Sequence, residues 1–102
     1  MPALLIADID VTDPKTYEAY KQANPDIVNT FGGRYLSIGL NSQVLEGDWV
    51  PHRTVLIEFP SMDMVERFYN SDAYTALREI RWKSASSRLI AFETFDEPRD
   101  RP

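Results

Sequence analysis

The sequence predicts an α+β fold, a four-stranded antiparallel sheet with helices laid on one of its faces. Three observations lead there. Short apolar runs with strand-like alternation open the chain, recur in its middle and close it. Two amphipathic stretches at helical spacing lie between them. The resulting order, β-α-β-β-α-β, closes into a single sheet when its crossovers are right-handed. The 102 residues suit one domain, read as residues 1–95 with a flexible tail over 96–102.

Residues 3–11, Ala-Leu-Leu-Ile-Ala-Asp-Ile-Asp-Val, form the first strand, bounded by the turn signal Thr12-Asp13-Pro14. Asp13 is placed to cap a helix whose first position is Pro14, where a missing N–H costs nothing. Tyr17, Tyr20, Asn24, Ile27 and Phe31 make one stripe of that helix. Pro25 falls within it and either kinks the helix or restarts it, and Gly32-Gly33 ends it. Residues 34–38 form the second strand. Gly39 to His52 reads as a loop, with a short strand expected at Gln43–Glu46. Arg53–Phe59 is the third strand. Pro60-Ser61 starts a helix that runs to about Tyr69, breaks at Asn70-Ser71-Asp72 with a fresh cap, and continues to about Lys83. Ser84, Ser86 and Ser87 read as a turn, and Leu89–Phe95 as the last strand. The order is that of the ferredoxin-like fold.

Composition narrows function before any motif is considered. Eleven Lys and Arg against 16 Asp and Glu give a net charge of −5, and no stretch gathers the basic residues that phosphate neutralisation requires. Nucleic acid is not an expected partner. No apolar run is long enough to span a membrane, there is no basic leader, and cysteine is absent. The expected location is the cytoplasm.

The sheet face turned away from the helices is informative. Alternation places Leu5, Ala7, Ile9 and Val11 of the first strand toward the helices, with Val55, Ile57 and Phe59 of the third and Ile90 and Phe92 of the fourth. The open face then carries Leu4, Ile6, Leu56, Leu89 and Ala91 among Asp8, Glu58 and Glu93. Five aliphatics do not suit solvent, and three carboxylates do not suit a core. The pattern fits a homodimer packed through this face around a partly polar cavity.

Linked motifs carry a resemblance. Tyr17, Tyr20, Asn24-Pro25 and Gly32-Gly33-Arg34-Tyr35-Leu36 occur in the first half. Leu45-Glu46-Gly47-Asp48-Trp49, Pro51-His52-Arg53 and Ile57-Glu58-Phe59-Pro60-Ser61 follow, then Phe68-Tyr69-Asn70-Ser71 with Tyr74 and Arg81. Over residues 3–95 the sequence resembles a small bacterial family, domain-of-unknown-function family 1330 of the dimeric α/β-barrel superfamily. The resemblance implies two ferredoxin-like subunits packed sheet to sheet, and brings no established reaction.

Within that frame Glu58 is the candidate catalytic base, a carboxylate between Ile57 and Phe59 whose pKa rises if its surroundings are dry. The alternative is an ion pair with Arg34, Arg53 or Arg81. Asp8 and Glu93 either join it on the open face or form a solvated rim. Arg53 and Arg34 are candidates for holding a ligand's anionic group, although Arg53 equally suits Glu46 or Asp48. His52 is the only histidine, a proton shuttle or a loop cap, and one histidine builds no multi-histidine metal site. No metal or cofactor is expected. Trp49 reads as a lid or a dimer contact, and Tyr17, Tyr20, Tyr69 and Tyr74 as helix packing. Gly32-Gly33 ends a helix and so is no phosphate cradle. Two functions stand. One is a small-molecule protein, a cofactor-independent monooxygenase or isomerase acting on a small organic acid or aromatic. The other is a non-catalytic dimeric module for a metabolite or a protein.

Overall fold

A computed structural model describes residues 1–96, so the expected tail lies outside the described residues from 97 onward. The elements run β1 (Ala3–Val11), α1 (Pro14–Thr30), β2 (Arg34–Ser37), β3 (Arg53–Phe59), α2 (Met62–Asn70), α3 (Asp72–Ser84) and β4 (Ala85–Glu93). The strands pair antiparallel in the order β2-β3-β1-β4, the ferredoxin-like arrangement. No helix of the described residues is long and apolar enough to cross a membrane.

The helix ends follow their local chemistry. Asp13 accepts the Thr16 amide N–H at 3.2 Å and the Thr16 hydroxyl at 2.7 Å, with Pro14 at the first helical position. Ser61 and Ser71 cap α2 and α3 in the same way, each accepting an amide N–H at 3.2 Å. At the end of α1 the Gly33 N–H reaches the Val28 carbonyl and the Gly32 N–H that of Asn29, both at 3.0 Å. That pairing needs a left-handed residue, and Gly32 takes it with φ of +78°. Gly33 is required for another reason. A β-carbon there would stand 2.7 Å from Val28 and 2.8 Å from Phe59, so α1 and β3 approach closely because this residue has no side chain. Pro25 neither ends nor splits α1, which is one helix across it.

Between sheet and helices lies an aromatic and aliphatic core built on Leu5, Ile57, Phe59, Phe68 and Tyr74. The register makes its rows explicit. Ile57–Leu5–Ala91 and Val55–Ala7–Leu89 face the helices, while Leu56–Ile6–Ile90 and Glu58–Leu4–Phe92 face away.

Those rows correct the reading of the last strand. It begins at Ala85, straight out of α3, so Ser86 and Ser87 lie in a strand and not in a turn. It ends at Glu93. Its phase is opposite to expectation: Leu89 and Ala91 pack on the core, whereas Ile90 is 62% exposed and Phe92 44%. Both faces of this strand are apolar, so alternation carried no phase, and pairing with β1 sets it. Nor do residues 43–46 form a strand, and β2 stops at Ser37. A bulge between Tyr35 and Ser37 interrupts the ladder to β3 there.

Candidate functional site

A partly open cavity of the subunit lies on the helix side of the sheet, and a shallower groove lies on the open face, where the sequence pattern placed the site. The volume of the helix-side cavity is about 220 Å³. Leu5, Ala7, Val55 and Ile57 make its apolar floor, α1 and α3 supply Tyr17, Tyr20, Asn24 and Tyr74, and Tyr35 and Arg53 close the β2–β3 side. The subunit's own helices form its roof.

The polar groups of this cavity are arranged as donors and neutral phenols. Tyr20 and Tyr74 share a hydrogen bond of 2.8 Å between their hydroxyls. Asn24 donates from Nδ2 to the Tyr35 hydroxyl at 2.7 Å, which uses an acceptor site on that oxygen and leaves its proton to give. Burial pushes the Tyr17 phenol up against the lowering pull of Arg53 and Arg81. It likewise raises Tyr35 against its bond from Asn24, and raises Tyr20, helped by the adjoining Tyr74 hydroxyl. These phenols therefore stay protonated at neutral pH. Two buried atoms of the lining, Asn24 Oδ1 and Arg53 Nε, have no hydrogen-bond partner among the described residues. Orphaned polar atoms at the wall of an apolar cavity are what a finished core avoids.

Of the residues singled out from sequence, Arg53 alone lines this cavity. Glu58 is on the opposite face, where its carboxylate takes the Arg34 Nε–H at 2.8 Å. The ion pair is the arrangement observed, and Glu58 does not line the helix-side cavity. Glu93 pairs with Ala3 on the helix side of the sheet and so is not a neighbour of Asp8, a consequence of the reversed phase of β4. Tyr17, Tyr20, Asn24, Tyr35 and Tyr74 were not singled out as site residues. Their signal was Asn24, a polar residue in an otherwise aromatic and aliphatic stripe.

The remaining candidates gather on the open face. Asp8 is buried and accepts the His52 backbone N–H at 2.8 Å and the Arg88 Nη2–H at 3.2 Å. The His52 ring lies 3.7 Å from both Asp8 and Asp10. Trp49 stands beside them over an open groove with Ile6, Arg88 and Ile90. Asp8 thus ties the end of the 38–52 loop to the sheet. Among the described residues no group of three or more acidic, histidine or cysteine side chains is placed to hold a metal ion.

Burial pushes the Asp8 carboxyl up, but the bonds from His52 and Arg88 outweigh it and hold the group below the usual carboxylate range. A depressed folded-state pKa means stability present above the unfolded value of about 3.9 and lost as pH falls through the folded value. Melting curves of the parent and Asp8→Asn should therefore differ most near neutrality and converge in acid below about pH 4. A difference that does not shrink in acid would refute the latch.

Fold and cavity together define a class: a small ferredoxin-like α+β domain with a pocket between its sheet and its helices. The chain matches the domain of unknown function DUF1330 over residues 2–95 and belongs to that family. No curated protein matches it. Among solved structures it is similar to a protein of unknown function from Rhodopseudomonas palustris, with 18% identity, 94% of this chain and 84% of that one covered, and a TM-score of 0.74. It is also similar to SnoaB, a cofactor-independent oxygenase from Streptomyces nogalater, at 11% identity over 94% and 95% of the two chains with a TM-score of 0.65. A dimeric protein of unknown function and ferredoxin-like fold from Bacteroides fragilis shares 15% identity over 91% and 96%, with a TM-score of 0.56. At these identities the likeness is one of fold.

Proposed function

We propose that this chain is a homodimeric small-molecule-binding protein whose ligand, a small and partly apolar organic compound, occupies the helix-side cavity of each subunit. The observation that carries this is the pair of orphaned atoms, Asn24 Oδ1 and Arg53 Nε, on the wall of an apolar space of about 220 Å³. A ligand with one acceptor and one donor satisfies both. The pairing of subunits rests on the open sheet face. There the apolar row Leu56–Ile6–Ile90 is flanked by the Arg34–Glu58 and Asp8–Arg88 ion pairs, an apolar centre with a charged rim.

Catalysis in such a cavity takes a particular form. Its lining offers neutral phenols, a guanidinium and the Lys21 ammonium but no carboxylate or imidazole. A reaction here works by stabilising an oxyanion that forms on the substrate, which fits a cofactor-independent oxygenase or an isomerase of an acidic substrate. The fold shared with the Streptomyces nogalater oxygenase supports that class by analogy. The lack of a base among the same side chains favours the other reading, a binder without turnover.

The test is to fill the cavity. Ala7 is buried on its floor, and Ala7→Leu adds volume at a cost of about 1–3 kcal/mol in stability. Native mass spectrometry of the parent protein should show a dimer carrying a small organic component that Ala7→Leu no longer retains. A component that stays on the folded variant places the ligand elsewhere. Incubating the loaded protein in air and under argon then separates the classes: conversion in air only marks an oxygenase, in both an isomerase, in neither a binder.

A further inference from the structure

Resting on the reading of the cavity as a ligand site, we propose that its ligand is a carboxylic acid, with the carboxylate seated where Arg53 and Arg81 flank Ile9. The register sets Arg53, Ile9 and Ser87 in one row across three strands on the helix side. Neighbouring strands are about 4.8 Å apart, so Arg53 and Ser87 stand about 10 Å from each other with Ile9 between them. Arg81 comes down from α3 and donates from Nη1 to the Ser87 hydroxyl. Arg53 lines one end of the cavity, and Arg81 is buried behind that wall, with Tyr17 of α1 near both.

Neither cation is neutralised from within. Arg81 is only 2% exposed, yet no carboxylate among the described residues pairs with it or with Arg53. The Nε–H of each also lacks an acceptor. Burying a guanidinium without a counter-charge is strongly unfavourable. The shortage is local, because the chain carries 16 acidic residues and a net charge of −5. The cavity lining, by contrast, includes Lys21 and Arg53 and no Asp or Glu. A positive pocket in an acidic protein selects an anion. The apolar floor excludes a small inorganic one as the whole ligand, since an ion such as phosphate leaves the space over Leu5, Ala7 and Val55 unfilled. A single ring or a short branched chain bearing a carboxylate fills the floor and supplies the missing acceptor. Asn24 Oδ1 then asks for a hydroxyl or N–H on the body of the same molecule.

The test uses calorimetric titration of the full chain with 4-hydroxybenzoate, its neutral analogue 4-hydroxybenzyl alcohol, and inorganic phosphate. The acid should bind about tenfold or more tightly than the alcohol, and phosphate far more weakly than either. Arg53→Gln and Arg81→Met should each erase most of the preference, lowering affinity for the acid far more than affinity for the alcohol. Arg53 is only partly buried, so its variant carries the test if Arg81→Met does not fold. Equal binding of acid and alcohol, or a preference that survives both substitutions, overturns the carboxylate and leaves the cavity reading standing. Phosphate binding as tightly as the acid overturns it too, in favour of a bare oxyanion site. Failure of all three probes to bind overturns both proposals.

Discussion

Phe68→Ala should be the most destabilising single truncation in this molecule. Phe68 is 1% exposed and at the hub of the aromatic core, its ring centroid 4.4 Å from that of Tyr74, 5.2 Å from Phe59 and 6.2 Å from Phe31. Removing a buried phenyl ring costs about 3–5 kcal/mol, part from lost burial and part from the void that remains. In a domain of this size that lowers the melting temperature by at least about 12 °C. Because Phe68 also borders the helix-side cavity, the void opens into a space that already exists, and little relaxation can close it. Phe68→Leu keeps much of the volume and should lose clearly less. Thermal unfolding of both variants checks the order, and equal losses would show that Phe68 is not the hub.

Ile90→Arg should abolish dimerisation without unfolding the subunit. Ile90 is 62% exposed in the single chain, so replacing it removes little from the core. Register places it at the end of the apolar row Leu56–Ile6–Ile90 on the open sheet face. In a two-fold interface each substitution occurs twice, which would bury two cations between the sheets. Charges forced into such a place cost several kcal/mol, and each 1.4 kcal/mol is tenfold in dissociation constant. The dimer should therefore weaken by a factor of about 100 or more. Sedimentation should report a monomer with the melting behaviour of a folded domain. An unchanged dimer would move the interface off this face, and the exposed Trp49 and Val50 of the 38–52 loop would be the surface to examine next.

How far the sequence could be read depended on whether a residue's neighbours in the chain were also the ones that decided its role. The helix caps at Asp13, Ser61 and Ser71 and the stop at Gly32-Gly33 are set by adjacent residues, and the structure has each where the sequence puts it. The alternation in β1 and β3 is similarly self-contained, since each has one apolar and one mixed face. β4 is different. Leu89 and Ala91 compete with Ile90 and Phe92 for the core, and only pairing with the remote β1 settles the contest. The site was still less legible. Tyr17, Tyr20, Asn24 and Tyr74 occupy helix positions that packing would choose anyway, and nothing local distinguishes a packed tyrosine from one that borders a cavity. Arg81 looks like any helical arginine until the fold shows it buried with no counter-ion among the described residues. Glu58 drew attention because its strand neighbours are apolar, and its partner Arg34 comes from a different strand.

β1 lies in the middle of the sheet, yet it is the first element of the domain. Its Ala3 pairs with Phe59 on one side and with Glu93 on the other. Emerging from a ribosome, this strand has no partner until β3 is made, and one edge stays bare until β4, the last element, arrives. The carbonyl of Ser84, where α3 passes into β4, then receives the Thr12 and Asp13 amides and the Thr12 hydroxyl at 2.8–3.1 Å. Beginning and end of the domain are sealed by the same event. Such distant pairing makes folding slow compared with that of a helical bundle of equal size, and a nascent chain carries an apolar, incompletely paired strand until β4 is made.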